Sequence, residues 1–110
     1  MFGLKDIQIS AINSVFEQYK TIDRVVLYGS RAKGNYKNGS DIDLTILEQG
    51  MSYRDVLRIE SLLDDLLLPY KIDLSLYHPI KHPDLIKHIE QSGKIFYHKK
   101  KDPIHAEIGL

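Results

Sequence analysis

Three aspartates lie in segments that the sequence predicts to be β-strands. Asp41 and Asp43 are two residues apart in the run DIDLTIL, and Asp73 lies in KIDLSLY. Side chains on a strand alternate between faces, so Asp41 and Asp43 are predicted to project on the same side, roughly 6.5 to 7 Å apart at about 3.3 Å per residue. Carboxylates this close repel each other unless a cation lies between them, and their hard oxygen ligands suit Mg²⁺. The pair therefore predicts a divalent metal site.

Asp73 extends this predicted metal site if its strand lies beside the first. The run 70–77 alternates apolar with polar residues, and Asp73 is on the polar face. Three carboxylates on adjacent strands are typical of a site that holds two Mg²⁺ ions for in-line displacement at phosphorus. Two other interpretations stay open. A lone acid on an alternating strand is usually just exposed, and Asp41 and Asp43 could form a solvated strand face or a turn after Gly39-Ser40.

The segment before the aspartates has the composition of a phosphate-binding turn. The apolar run RVVLYG ends at Gly29, and Ser30 follows it. Glycine permits a close backbone approach, and a serine at the start of a short helix adds a hydroxyl to the free N–H groups of that helix. Arg31 is a secondary candidate for neutralising phosphate charge, although so flexible a side chain could equally face solvent. An anion site beside a cation site fits a nucleoside triphosphate with Mg²⁺.

Composition limits the other possibilities. With 110 residues and 43% hydrophobic content, the chain is expected to form one domain. Fifteen basic and fifteen acidic residues give no net charge, which argues against binding driven by a nucleic acid backbone. The lack of cysteine fits a reducing compartment. No apolar run reaches about 18 residues and no secretory signal is evident, so we expect a soluble, cytoplasmic protein.

Periodicity predicts the elements that carry these residues. An α/β (α+β) domain with a small mixed β-sheet flanked by helices is expected over residues 1–98, followed by a tail over 99–110. The apolar run KIFY near its end is not assigned to an element. The predicted order is a helix over 7–19, a strand over 24–29, a short helix after Ser30, a strand over 41–47, a helix over 53–68 with Ser52 as N-cap, a strand over 70–77 and a helix over 83–93.

These motifs together resemble a known family. Gly29-Ser30, then Gly34, then Ser40-Asp41-Ile42-Asp43-Leu44, with the later Asp73, are similar to the nucleotidyltransferase motif of the DNA polymerase β superfamily. Residues 5–98 resemble its minimal nucleotidyltransferases, the MNT family. The resemblance implies a polymerase-β-like fold, metal binding by the three aspartates and a Gly-Ser turn that holds the triphosphate of ATP. It also implies an antitoxin that transfers AMP to a tyrosine of a HEPN-domain toxin.

Other functions stay open beside this resemblance. The chain could be a non-catalytic antitoxin that acts by binding its toxin, or a nucleotidyltransferase for small molecules. His78 and His82 have the spacing of metal ligands on a helix, but Pro79 and Pro83 break such a helix, which favours surface loops. The basic run HKKK is expected to be solvated rather than bound to nucleic acid. The leucines of 62–68 are core residues first, and those in excess of one helix face are expected to mark a partner surface. Whether the chain forms a homo- or hetero-oligomer stays open.

Overall fold

Eight elements alternate along residues 1–100, which are the part of the chain that the computed structural model describes. Most of the predicted tail, residues 101–110, lies outside the described residues. The elements are α1 Asp6–Phe16, β1 Arg24–Tyr28, α2 Ser30–Lys33, β2 Ile42–Ile46, α3 Tyr53–Asp64, β3 Ile72–Leu76, α4 Pro83–Ser92 and β4 Lys94–His98.

The strands form one mixed sheet in the order β3-β2-β1-β4. β1 is antiparallel to both β2 and β4, whereas β2 and β3 are parallel. The parallel pair needs a crossover connection, and α3 provides it. A small mixed sheet with helices confirms the predicted α+β fold class. Within residues 1–100, no helix has both the length and the apolar character needed to cross a lipid bilayer.

β4 is a strand that the predicted order of elements does not contain. It pairs with β1, with Val25 opposite Tyr97, and the register shifts between Val25 and Val26. Phe96 and Tyr97 are consecutive, yet both are buried. A strand is predicted from sequence by the alternation of buried and exposed residues, and this irregularity breaks that alternation. The run KIFY was therefore not predicted to be a strand.

The helices divide between the two faces of the sheet. Apolar side chains of α1 and α3 pack on one face, against the side chains of β1 and β2 that alternate toward them. α4 packs against β1 on the other face, where Ile89 and Val26 line the same small cavity. The core residues at 0% exposure include Ile12, Phe16, Val25, Leu27, Ile42, Leu44, Ile46 and Ile59. The face that carries the aspartates is therefore the one only partly covered by helix.

Helix ends differ from the predicted ones in two places. α1 ends at Phe16 rather than at residue 19, and α3 ends at Asp64 rather than at residue 68. After α3 the chain turns, and Leu67 has a positive φ of 55°. Pro69 disfavours a helical conformation at the residue before it, so the chain leaves the helix early. At the other end of α3, Ser52 is the N-cap, as predicted, and its side chain accepts a hydrogen bond from the Asp55 amide.

Candidate active site

Asp43 and Asp73 lie side by side on the parallel strands β2 and β3. They are directly paired in the register, and neighbouring strands in a sheet are about 4.8 Å apart. Both are partly exposed, whereas Ile42 and Leu44, on either side of Asp43, are fully buried on the opposite face. The condition on which Asp73 was added to the site, that KIDLSLY lies beside the first strand, is met. Two carboxylates thus share the partly open face of the sheet.

Asp41 precedes β2 and is exposed. The pKa of Asp43 is raised above its ordinary value, first by burial, then by the negative charges of Asp73 and Asp41. Positive charge acts in the opposite direction: a protonated His88 would lower the pKa of Asp43, and the ammonium group of Lys71 lowers it. Lys71 is also ion-paired with Asp73, with 3.7 Å between Nζ and Oδ1. The cluster carries more negative charge than the surrounding cations balance.

The carboxylates fit a divalent cation by their chemistry. In residues 1–100, no three histidine, cysteine, aspartate or glutamate side chains converge as a preformed metal centre. Mg²⁺ does not require such a centre, because it commonly binds one or two carboxylates and completes its shell with water and phosphate oxygens. Asp43 and Asp73 supply that pair, and Asp41 is close enough to act on the charge of Asp43. These residues are the ones that could hold the metal.

The turn at Gly29, one of the predicted phosphate-binding residues, lies against Asp43. Gly29 has φ 77° and ψ −157°, a backbone conformation that is essentially restricted to glycine. A Cβ atom at this position would collide with the Asp43 carboxylate. The Gly29 carbonyl accepts a hydrogen bond from the amide of Lys33 at 3.1 Å. The helix α2 therefore begins at Ser30, next to the carboxylate cluster. The anion and cation parts of the candidate site are therefore adjacent.

Arg31 occupies a different environment from the other candidates. Its side chain is only 2% exposed. Nε and Nη2 donate to the Ser40 carbonyl at 3.1 and 2.9 Å, and Nη1 donates to the Phe2 carbonyl at 2.9 Å. The guanidinium also lies 4.8 Å from the ring centre of Tyr70 and 5.2 Å from that of Tyr36. It would have to break these contacts to reach a triphosphate, whereas in place it fixes the residue that precedes Asp41.

A layer of hydroxyl groups that no sequence motif predicted lies deeper on the same face. Ser75 is paired with Thr45, and its Oγ donates to Thr45 Oγ1 at 3.0 Å. Burial raises the pKa of Tyr28, while a hydrogen bond with Ser75 lowers it. The charges of Asp43 and Asp73 raise the pKa of Tyr28 further. The signal was present in the repeated strings IDLT and IDLS, since each hydroxyl follows its aspartate by two residues.

His88 is a further residue at the site that no sequence motif predicted. Its Nε2 accepts a hydrogen bond from the backbone amide of Gly29 at 2.9 Å. The ring is edge-on to Tyr28, with 6.2 Å between ring centres. The sequence does indicate that His88 faces the sheet. It lies one residue before the buried Ile89 and three residues after Leu85, on the side of an amphipathic helix that packs on the core.

His78 and His82 do not form a metal site. His82 is the N-cap of α4, and its Nδ1 accepts the amide of Leu85 at 3.3 Å. His78 lies on the surface, with its Nδ1 at 3.4 Å from Nε2 of Gln49. The interpretation of both as surface loop histidines is confirmed.

Comparisons with known proteins agree with this geometry. The family model "Polymerase beta, Nucleotidyltransferase" matches residues 10–102. A comparison with curated proteins gave no match.

Several solved structures share the fold. A toxin–antitoxin structure with AMP-PNP has a TM-score of 0.66 at 18% identity, covering 96% of this chain and 83% of that one. The tri-AMPylated Shewanella oneidensis HEPN toxin in complex with MNT antitoxin gives 0.64 at 15%, covering 96% and 79%. The toxin–antitoxin MntA-HepT gives 0.63 at 15%, covering 86% and 74%. Identities this low establish similarity of fold alone.

Proposed function

This chain belongs to the polymerase β nucleotidyltransferase family, and from that premise we propose that it transfers AMP from ATP to a hydroxyl group of a partner protein in a Mg²⁺-dependent reaction. The observation that carries the proposal is the pairing of Asp43 with Asp73 directly beside the Gly29 turn. Carboxylates for a metal and a helix start for phosphates are the two parts that such a transfer requires.

Each candidate residue has a role in this proposal. Asp41, Asp43 and Asp73 hold up to two Mg²⁺ ions, which when bound neutralise phosphate charge and orient the reacting oxygens. Gly29 and Ser30 form the turn that holds the triphosphate: Gly29 shapes the turn, since its amide is bonded to His88, and the Ser30 hydroxyl and the amides at the start of α2 are the donors.

The bond changes follow from nucleotidyl transfer itself. The acceptor oxygen forms a bond to the α-phosphorus, the bond from that phosphorus to the bridging oxygen breaks, and pyrophosphate leaves. Asp73 accepts the proton of the attacking hydroxyl, since a carboxylate beside the nucleophile can act as its base. Arg31 does not contact ATP in this scheme. It positions the segment that leads into Asp41.

The acceptor is proposed to be a tyrosine of a HEPN-domain toxin, which makes this chain the antitoxin. Two observations support this assignment. The structures that share its fold include toxin–antitoxin complexes, and the HEPN toxin in one of them is tri-AMPylated. We further propose that the protein acts in the cytoplasm and that residues 1–98 carry the activity.

The direct test is labelling of a HEPN-domain partner with ATP that carries a radioactive α-phosphate. The wild-type chain with Mg²⁺ is expected to label the partner, and intact mass should show additions of whole AMP units. The double variant Asp43→Asn/Asp73→Asn is expected to lose the label. Asp64→Asn is the matched control, because Asp64 is an exposed acid at the end of α3. Equal labelling by the double variant would refute catalysis, and toxin neutralisation by that variant would favour inhibition by binding.

A further inference from the structure

His88 connects α4 to the turn that ends β1. Its Nε2 lies 2.9 Å from the backbone nitrogen of Gly29. Because the amide is the donor, Nε2 must carry the lone pair, and the neutral ring then has its proton on Nδ1. The ring also packs edge-on against Tyr28, the residue before the turn. The tautomer of His88 with its proton on Nδ1 therefore holds the main chain of the turn through Nε2.

Two hydrogen bonds hold the peptide groups on either side of Gly29: the bond to His88 orients the Tyr28–Gly29 peptide, and the bond from Lys33 orients the Gly29–Ser30 peptide. The amide of Gly29 is bonded to His88, and its carbonyl accepts the amide of Lys33 at 3.1 Å. A glycine has a wide range of backbone conformations, so the turn needs contacts on both sides to stay at φ 77°. Because Gly29 lies against Asp43, a rotation of either peptide would move Ser30 relative to the carboxylates.

From this geometry we infer that His88 is a positioning residue for nucleotidyl transfer, which acts by fixing the Gly29–Ser30 turn relative to Asp43. The inference rests on the proposed function, since the turn and the carboxylate are the proposed phosphate and metal contacts. The ring nitrogen that faces the turn is already bonded to the Gly29 amide, so it acts on the site through the main chain. A displacement of about 1 Å in such a site can cost about 100-fold in rate.

A purely structural role for His88 makes a different prediction. α4 also packs through Ile89, which is 4% exposed, so the helix does not depend on His88 alone for burial. If His88 only filled space, leucine would replace it well and glutamine would not. If His88 serves as a hydrogen-bond acceptor, the amide oxygen of glutamine can take the place of Nε2 and leucine cannot. The two substitutions therefore separate packing from positioning.

The kinetic experiment compares His88→Leu, His88→Gln and the exposed control His78→Leu. For His88→Leu we expect kcat for AMP transfer to fall by about 10- to 100-fold, the range seen when a supporting hydrogen bond is lost. For His88→Gln we expect kcat within about threefold of wild type, because one neutral hydrogen bond is exchanged for another. His78→Leu should leave both kcat and the KM for ATP unchanged.

A second measurement needs no activity. In the ¹⁵N-labelled wild-type protein without ATP, the imidazole nitrogen shifts should show a protonated Nδ1 and an unprotonated Nε2 on His88. Exchange of the Gly29 amide hydrogen should be about 10-fold faster in His88→Leu than in wild type or His88→Gln, as expected for the loss of one hydrogen bond.

The outcomes separate this inference from the proposed function. Normal kcat together with unchanged Gly29 amide exchange in His88→Leu would overturn the inference, and so would a His88→Gln variant as defective as His88→Leu. A wild-type protein without transferase activity would refute the proposed function instead. The nitrogen shifts and the amide exchange would still decide whether His88 holds the turn.

Discussion

Replacement of Arg31 by methionine is expected to destabilise the fold by about 3 kcal/mol. The substitution leaves the partly buried carbonyls of Ser40 and Phe2 without their donors, and an unsatisfied carbonyl costs about 1–3 kcal/mol when it is buried. The two ring contacts of the guanidinium are also lost, at about 0.5–1 kcal/mol each. Relief of the cost of burying a charge offsets part of this sum. For a domain of this size, about 3 kcal/mol lowers Tm by roughly 12 to 24 °C.

Thermal unfolding followed by circular dichroism measures this effect. Arg31→Lys should be intermediate, at about 2 kcal/mol, because an ammonium group keeps the charge but lacks the rigid fork that serves two carbonyls. Arg58→Met is the matched control, since Arg58 is exposed on α3, and its effect should stay within about 0.5 kcal/mol.

A specific result would refute this reasoning. If Arg31→Met unfolds within about 3 °C of wild type while its KM for ATP rises, then the guanidinium is free to contact the triphosphate. That outcome would restore the role that the sequence motif first indicated for Arg31. Loss of stability with an unchanged KM for ATP, measured on the fraction that remains folded, would support the positioning role.

Three further predictions concern the turn, the α3 cap and the carboxylates. Gly29→Ala should abolish AMP transfer and cost about 1–3 kcal/mol, because alanine is strained at this φ and its Cβ meets Asp43. Ser52→Ala should lower stability by about 1 kcal/mol through loss of the N-cap. The bond to Ser52 lowers the pKa of Asp55, so the stabilisation by Asp55 should be present above its unfolded pKa of about 3.9 and lost as pH falls through the folded value. Asp43→Asn should raise Tm at neutral pH while transfer is lost, since the raised pKa of Asp43 means that its charged form opposes folding.

Each of these predictions has a control and a contradicting result. Gly39→Ala should be neutral, because a Cβ there meets no atom within 4 Å, and an active Gly29→Ala would exclude close packing at the turn. A Tm difference between wild type and Asp55→Asn that does not change across acid pH would contradict the cap contribution. A lower Tm for Asp43→Asn would mean that the carboxylate makes a stabilising bond that outweighs the repulsion.

The sequence predicts the site best where local pattern and tertiary pairing coincide. Asp43 and Asp73 occupy equivalent positions in IDLT and IDLS, and the parallel register aligns the two strings residue for residue. The alternation within each strand then predicts which face carries the acids. The strand β4 lacks such a pattern, because a register shift beside it buries two consecutive residues. Regular alternation was therefore sufficient to predict the strands that carry the carboxylates, but not to predict the edge strand β4.

The supporting contacts could not be predicted because they join distant parts of the chain. Arg31 reaches a carbonyl 29 residues away at Phe2, and His88 reaches an amide 59 residues away at Gly29. A charged residue next to a Gly-Ser turn is expected to face the phosphate, and only the fold reveals that all three guanidinium nitrogens of Arg31 already donate to main-chain carbonyls. The motif therefore predicts the segment, but it does not predict the main-chain contacts that Arg31 makes within the fold.

Stability and activity should respond differently to the two groups of residues. The carboxylates repel one another, so neutralising Asp43 removes a cost to folding while it removes the proposed metal ligand. Arg31 and His88 satisfy backbone groups, so their loss weakens the fold or the turn before any substrate is bound. A variant that unfolds at a higher temperature but transfers no AMP therefore identifies a residue that takes part in the reaction. A variant that loses both stability and AMP transfer identifies a residue that holds the site in place.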